Sequence, residues 1–128
     1  MKKFLIYVSS AVLILTFLIV TNIKTNVELP KADKIVIKQN EEMIKTLEAN
    51  EVVQVYRDLE STKPYISKNP SIQDEPFVNE YYTLILYDDN IEVAYAYLYE
   101  YENETFLEKP YDYTVKLRLA LEELSFIK

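Results

Sequence analysis

Tyrosines occupy every second position from Tyr95 through Tyr97 and Tyr99 to Tyr101 of this 128-residue chain. Alternate residues of a strand share one face, so a strand here would carry all four rings on one side. Such a row can stack sugars or hold a peptide, because each ring is a flat apolar body with a polar tip. A half-buried row beneath helices would explain the same pattern without any ligand. Both interpretations stay open.

Acidic side chains collect at Asp88 and Asp89 and again between Glu100 and Glu108. Two carboxylates ~5 to 10 Å apart can hydrolyse a glycosidic bond, and several together can hold Ca²⁺. A calcium loop of the EF-hand type requires a turn glycine, and the chain contains no glycine. No sequence feature marks one of these carboxylates as desolvated, so we interpret them as solvated turn charge and predict no metal site.

The chain contains no Cys, no His and no Gly. The missing Cys excludes disulfides and thiol nucleophiles, and the missing His removes the commonest general base near neutral pH. Phosphate-binding loops need glycine where the backbone approaches the phosphate, so nucleotide sites are excluded as well. We therefore predict a protein that is not an enzyme, has no catalytic residue and binds no cofactor.

The charge balance is acidic, with 14 Lys and Arg against 21 Asp and Glu and a net charge of −7. Nucleic-acid binding depends on Lys and Arg side chains that release counterions from phosphates. A nucleic-acid partner is therefore not expected.

An uncharged, mostly apolar run covers residues 4–23, directly after Met1-Lys2-Lys3. Twenty helical residues rise ~30 Å, which is the thickness of a hydrocarbon core. No small-residue cleavage site follows, which favours an uncleaved anchor over a cleaved signal peptide. The paired lysines indicate an N-terminus inside the cell. We predict a single-pass cell-membrane protein with residues 1–3 in the cytoplasm, a transmembrane helix over 4–23 and the rest of the chain outside.

The residues after this run predict a linker over 24–32 and one extracytoplasmic domain over 33–128. A β-branched segment at 35–38 predicts the first strand, while 43–47 fits either a second strand or the start of a helix. Residues 63–76 contain three prolines and predict an extended loop.

Two helices are predicted in this domain. Asn50 can cap a helix whose apolar stripe includes Val52, Val55 and Leu59 and which ends before Pro64. A second helix is predicted after a cap at Asp112 or Thr114, with an apolar stripe of Leu117, Ala120, Leu121 and Leu124.

A three-stranded meander is predicted between the helices. Residues 81–87 and 91–101 form two strands, joined at Asp88-Asp89-Asn90, which tolerate left-handed backbone in the absence of glycine. Asn103 makes a second reversal before a strand over 105–107. The predicted domain is α+β, with an antiparallel or mixed sheet of four to five strands and two helices in the order β-β-α-β-β-β-α.

Two short motifs flank the tyrosine row, Ser71-Ile72-Gln73-Asp74-Glu75-Pro76 and Phe106-Leu107-Glu108-Lys109-Pro110-Tyr111. They resemble the S-V-N-D-Q-P and Y-I-E-Q-P-Y motifs of the domain-of-unknown-function 5301 family, small exported or membrane-anchored proteins of Gram-positive bacteria. Leu29-Pro30-Lys31 and the tyrosine-rich strand extend the resemblance, which covers most of residues 28–124. It implies an exported α+β domain of unknown activity and implies no catalytic residue.

The two motifs suggest a recognition surface if their loops lie together in space. Its candidate residues are Asp74, Glu108 and Tyr111, together with Tyr97 and Tyr99 of the tyrosine row. The alternative is that the acidic and proline residues of the motifs only hold their own turns.

The function expected from these features is a membrane-anchored extracytoplasmic module that binds an envelope protein or peptide and catalyses nothing. A first alternative is an immunity or surface-exclusion protein that protects the producer cell. A second, from another class, is a carboxylate-based wall hydrolase.

Overall fold

Seven strands and two α-helices make up the part of the chain that the computed structural model describes, which is residues 2–21, 29–61 and 68–128. The helices are α1 (Lys2–Thr21) and α2 (Asn50–Ser61), and a short 3₁₀ helix covers Leu121–Glu123. The strands are β1 (Lys34–Gln39), β2 (Glu42–Glu48), β3 (Lys68–Pro70), β4 (Tyr82–Asp88), β5 (Ile91–Tyr101), β6 (Glu104–Lys109) and β7 (Tyr113–Lys116).

All seven strands belong to one sheet with the order β2-β1-β4-β5-β6-β7-β3, in which every neighbouring pair is antiparallel. The prediction of four to five strands is therefore wrong. Residues 42–48 form a strand, whereas the sequence also allowed a helix there, and β3 lies within the predicted loop. The open edges of the sheet are β2 and the three-residue β3.

Three hairpins of the sheet turn on pairs of residues with left-handed backbone. These pairs are Asn40-Glu41, Asp89-Asn90 and Glu102-Asn103, with φ between 45° and 76°. Two successive positive φ angles give a turn whose twist matches that of the flanking strands, and Asn and Asp tolerate this conformation best among residues with a side chain. The predicted reversals at residues 88–90 and at Asn103 are confirmed.

Helix α2 covers one face of the sheet and closes the core. Its predicted stripe is confirmed, because Val52, Val55 and Leu59 are buried. Each large aliphatic side chain in such a core contributes about 1.5–3 kcal/mol by its burial. The facing sheet residues are Ile35, Ile37, Leu47, Leu84, Leu86, Ala96, Leu98, Leu107 and Val115, all at most 1% exposed.

The predicted C-terminal helix is wrong. Residues Tyr113–Lys116 form β7, and the helical structure that follows is one 3₁₀ turn over Leu121–Glu123. Tyr113, Val115 and Leu117 are all buried, so the period of two in this segment prevails over the helical spacing further along. The Asp58 carboxylate accepts the Ser125 backbone N–H at 3.0 Å and so holds the C-terminal segment against α2.

The N-terminal helix α1 does not bear out the transmembrane prediction for residues 4–23. Its described side chains are Lys3 and residues 6–14. The Ser9 and Ser10 hydroxyls both donate to the Ile6 carbonyl, at 2.9 and 2.8 Å.

Among the described residues, no helix combines the length and the apolar character that a membrane crossing requires. The predicted span is therefore wrong. Its last two residues, 22 and 23, lie outside the described residues, as do residues 24–28 of the predicted linker and the proline at 64 that was expected to end α2.

Candidate functional site

The four tyrosines of β5 lie on the sheet face opposite α2. Their neighbours Ala96 and Leu98 are fully buried in the core that α2 covers, and side chains alternate between the two faces of a strand. The interpretation as a row beneath helices is therefore wrong for the described residues. Tyr97 and Tyr99 are nevertheless buried, because other aromatic side chains cover them.

One aromatic cluster is built on Tyr99. Its ring stacks on Phe106 of β6, which is its cross-strand partner, with centroids 5.6 Å apart. Phe77 reaches over from the loop between β3 and β4 and meets Tyr99 and Tyr101 edge-on, with centroids 6.0 and 4.8 Å away. Edge-on pairs of this kind contribute about 0.5–1.5 kcal/mol beyond their burial. Four rings thus make a continuous aromatic wall.

A second group of rings surrounds Tyr97. Tyr81 and Tyr95 contact it edge-on, with centroid distances of 5.2 and 5.8 Å. Burial and the neighbouring phenols raise the pKa of Tyr97 from its ordinary value of 10 to about 12. Tyr97 therefore stays uncharged throughout the physiological range. It packs against Tyr81 and Tyr95 and does not line the pocket described below.

Glu108 lies at the centre of this face and is only 4% exposed. Its Oε1 accepts the Ser71 hydroxyl at 2.6 Å, and its Oε2 accepts the Tyr99 hydroxyl at 3.1 Å. Burial, followed by the negative charge of Glu108 and the hydrogen bond to it, raises the pKa of Tyr99. In the described part of the chain, Lys109 and Lys116 form their ion pairs with Asp112 and Glu104 and not with this carboxylate. Glu108 is therefore a buried acidic group that neutral hydroxyls hold.

The two sequence motifs meet at this carboxylate. Besides the Ser71 to Glu108 bond, the Tyr111 hydroxyl donates to the Asp74 carboxylate, which raises the pKa of Tyr111. The Ser71 backbone N–H donates to the Asp112 carbonyl at 3.4 Å, and β3 pairs with β7 next to it. The 71–76 loop is therefore fixed to the sheet at several points.

A pocket of about 360 Å³ opens between this loop and the sheet. Glu108 and Ser71 line it together with Tyr99, Phe106 and Thr114, and Glu108 is the one carboxylate among the described lining residues. Its remaining lining residues are Asn69, Pro70, Ile72, Gln73, Phe77 and Tyr101. The arrangement is an aromatic-walled pocket with one acidic side chain in its described lining.

Large apolar side chains stand exposed around the pocket. Ile72 is 82% exposed, Phe77 60% and Tyr101 43%. Tyr111, at 65%, also has a left-handed backbone with φ 59°, which is unusual for a bulky side chain. Exposed apolar groups gathered in one place are typical of an interaction surface.

The structure brings the five candidate residues to the tyrosine face of the sheet, and two of them line the pocket. Glu108 and Tyr99 line the pocket, while Asp74 and Tyr111 join the two loops beside it. Tyr97 lies directly opposite Glu108 on the same face, but Tyr81 packs against it and it does not line the pocket.

Sequence reasoning missed Ser71 and Phe77. Ser71 begins the first motif, so its position was a usable signal, whereas nothing around Phe77 indicated that its ring would reach the tyrosine row.

The other acidic residues do not assemble into a second site. Among the described residues, no group of three or more potential metal ligands comes together. Glu104 forms an ion pair with Lys116 at 2.9 Å, and Asp112 forms one with Lys109 at 3.1 Å. These pairs are partly solvated and contribute little to stability.

A comparison with family models matches residues 23–116 to DUF5301, described as "Domain of unknown function (DUF5300)". The matched span contains both motifs and every described strand. The chain belongs to the DUF5301 family. The predicted family is thereby confirmed, while export and a Gram-positive source stay predictions. No curated protein and no solved structure matches the chain.

Proposed function

We propose that this DUF5301 domain is a non-catalytic binding module whose site is the aromatic pocket around Glu108. Its partner is a peptide or an exposed segment of a protein. The observation that carries the proposal is the convergence of both family-like motifs on one pocket through the Ser71 to Glu108 hydrogen bond.

The size of the pocket supports a side-chain ligand. Small-molecule sites span about 300–1,000 Å³ and are mostly apolar with a few placed polar groups. A pocket of about 360 Å³ with Glu108 and Ser71 among aromatic rings fits the lower end of that range. One or two side chains of a partner would fill it, and the exposed rim would contact the residues on either side.

The composition of the rim supports a protein or peptide partner. Tyrosine and other large aromatic side chains dominate the energetics of protein interfaces, because they bury much area at low entropy cost. Phe77 and Tyr101 present such rings in the lining of the pocket. Their partner would bury rings that are now in contact with water.

The fixed loop supports binding without large rearrangement. Two hydrogen bonds hold the 71–76 loop to the second motif. The Ser71 hydroxyl donates to Glu108, and the Tyr111 hydroxyl donates to Asp74. A site that is already ordered loses little conformational entropy when a ligand arrives.

The same geometry favours binding over catalysis. A glycosidase needs a second carboxylate across the cleft from the first. Glu108 has no such companion among the described residues that line the pocket.

An immunity or surface-exclusion role would use the same binding chemistry with a toxin or exclusion target as the partner. Since export is implied by the family resemblance, a cell-envelope protein is the expected source of the bound segment.

Selection from a random peptide library on the full-length protein tests the proposal. We expect enriched peptides to bind the native chain and to lose about ten-fold or more in affinity with Phe77→Ala, as for an interface hot spot. Ile72→Ala at the pocket rim and Ile91→Ala at a hairpin tip form a matched pair, because both isoleucines are highly exposed. Only the first should weaken binding.

Two outcomes would reject the binding function. One is a selection that enriches no peptide above background. The other is a set of peptides that Phe77→Ala and Ile72→Ala bind as tightly as the native chain does, since their site would then lie elsewhere.

A further inference from the structure

We infer that the group bound in the pocket is a lysine side chain of the peptide partner, with its ammonium group against Glu108 and its methylene stem along the aromatic wall. This inference rests on the proposed function and specifies its ligand.

The first argument is the charge of the buried carboxylate. Glu108 is 4% exposed, and its described partners are two uncharged hydroxyl groups, those of Ser71 and Tyr99. A buried carboxylate is stabilised most by a hydrogen-bonded cation, and two hydroxyl donors use only half of its acceptor positions. An ammonium group that enters the pocket would supply both the missing charge and further N–H donors.

The second argument is the chemistry of the walls. The stacked pair of Tyr99 and Phe106 and the edge-on ring of Phe77 face the same space as Glu108. Aromatic faces attract cations, and a lysine stem of four methylene groups packs well against apolar rings. A neutral apolar side chain would use the rings only, and a small inorganic cation would use the carboxylate only.

The third argument separates lysine from arginine. An arginine pairs best with a carboxylate when its planar fork meets both oxygens at once. Here each oxygen already accepts a hydroxyl, Oε1 from Ser71 and Oε2 from Tyr99. A compact ammonium needs only one of the two acceptor positions that remain, whereas the arginine fork needs both of them in its own plane, so this geometry favours lysine.

The overall charge of the chain acts in the same direction. The net charge is −7, and Glu108 is the one charged side chain among the described residues that line the pocket. The field of the protein therefore attracts a cationic peptide and repels an anionic one.

Three capped tripeptides test the inference on the full-length protein, each with alanine on both sides of a central lysine, norleucine or arginine. Norleucine keeps the apolar stem and lacks the charge. We expect the lysine peptide to bind at least about ten-fold more tightly than the norleucine peptide, and to shift the NMR signals of Tyr99, Phe106 and Glu108. In Glu108→Gln, which keeps nearly the same shape, the advantage of lysine should disappear.

The tripeptide comparison decides whether the bound side chain is lysine, and its outcomes can be distinguished from those that test the binding function. Equal affinity of the native protein for lysine and norleucine peptides overturns the inference, yet pocket shifts with both would still support a binding module. Tighter binding of arginine also overturns it. If no peptide shifts the pocket signals, the lysine inference fails, and the library selection decides the binding function alone. Because the lysine and norleucine comparison uses the native chain, it stands even if Glu108→Gln fails to fold.

Discussion

The Ser71 hydroxyl donates to Oε1 of Glu108 at 2.6 Å, although the two residues are 37 positions apart in the chain. Both are buried, and each belongs to one of the two motifs. The bond therefore joins the 71–76 loop to β6 in the middle of the tyrosine face. Substitutions that remove it should lower the free energy of unfolding.

Removal of the Ser71 hydroxyl should destabilise the protein. In Ser71→Ala, the buried Oε1 of Glu108 loses its donor, so we expect the free energy of unfolding to fall by about 1–3 kcal/mol. Urea unfolding measures the change. Ser61→Ala is the control, because its exposed hydroxyl donates to the nearby Asp58 carbonyl and its loss should change stability by less than about 0.5 kcal/mol. Equal effects of the two substitutions would contradict the assigned role of Ser71.

The Tyr99 hydroxyl should matter more than that of the neighbouring Tyr101. Tyr99→Phe keeps the ring stack but removes the donor to Oε2 of Glu108, at an expected loss of about 1–3 kcal/mol. Tyr101→Phe changes a ring that is 43% exposed and should be nearly neutral. Thermal unfolding compares the two.

A double-mutant cycle extends this comparison. The combination of Ser71→Ala with Tyr99→Phe should be non-additive, because both hydroxyls bind one carboxylate. Strict additivity in urea unfolding would argue that the two bonds are independent of each other.

A glycine at residue 41 should stabilise the first hairpin. Glu41 has φ 76°, a conformation that costs a residue with a side chain roughly 1–2 kcal/mol and that glycine adopts freely. After the entropy that glycine loses on folding, we expect Glu41→Gly to raise the free energy of unfolding by about 0.5–1 kcal/mol. Glu42→Gly, one position later in the extended strand β2, should lower it by a similar amount. A loss of stability in both variants would contradict the left-handed turn.

Stability should decrease in alkaline solution because of the buried phenols. The pKa of Tyr97 is about 12 in the folded protein and 10 in the unfolded chain. Stability from this group is complete below pH 10 and is lost as the pH rises from 10 to 12, because the unfolded chain releases its proton first. The raised pKa of Tyr99 acts in the same direction.

Urea unfolding at a series of pH values from 9 upward measures this loss, and the absorbance of the phenolate reports the titration. Tyr97→Phe should make the decline between pH 10 and 12 shallower. If the decline keeps its slope in that variant, Tyr97 ionises equally in both states and the assignment is wrong.

Local patterns predicted the elements that depend on neighbouring residues. The stripe of Val52, Val55 and Leu59 suffices to identify α2, and Asp89-Asn90 suffices for the central hairpin, because each signal lies within a few residues.

Two elements depend on pairing between distant residues and could not be predicted in that way. Strand β3 is three residues long and exists because β7 offers it a partner. The segment around Leu117 carries both a period of two and a helical spacing, and the pairing of Val115 with Leu107 and Lys68 decides between them.

The candidate site could be predicted only in part, because it too depends on contacts between residues that are distant in the chain. Asp74, Glu108 and Tyr111 could be named because the family resemblance drew attention to two distant motifs. That Glu108 would be buried and Phe77 would cover Tyr99 depends on how the 71–77 loop crosses the sheet, which no single segment encodes.

The open edge at β2 bears on how the protein behaves at high concentration. Unpaired amide and carbonyl groups along an edge strand offer a template on which a second chain could add, which is a common start of aggregation. Glu42, Lys45 and Glu48 place a charged side chain at every third residue of this strand, with Met43 and Ile44 exposed between them. A second strand that paired with β2 would have to desolvate those charged side chains. The acidic and basic groups along β2 therefore oppose self-association of the protein through this open edge.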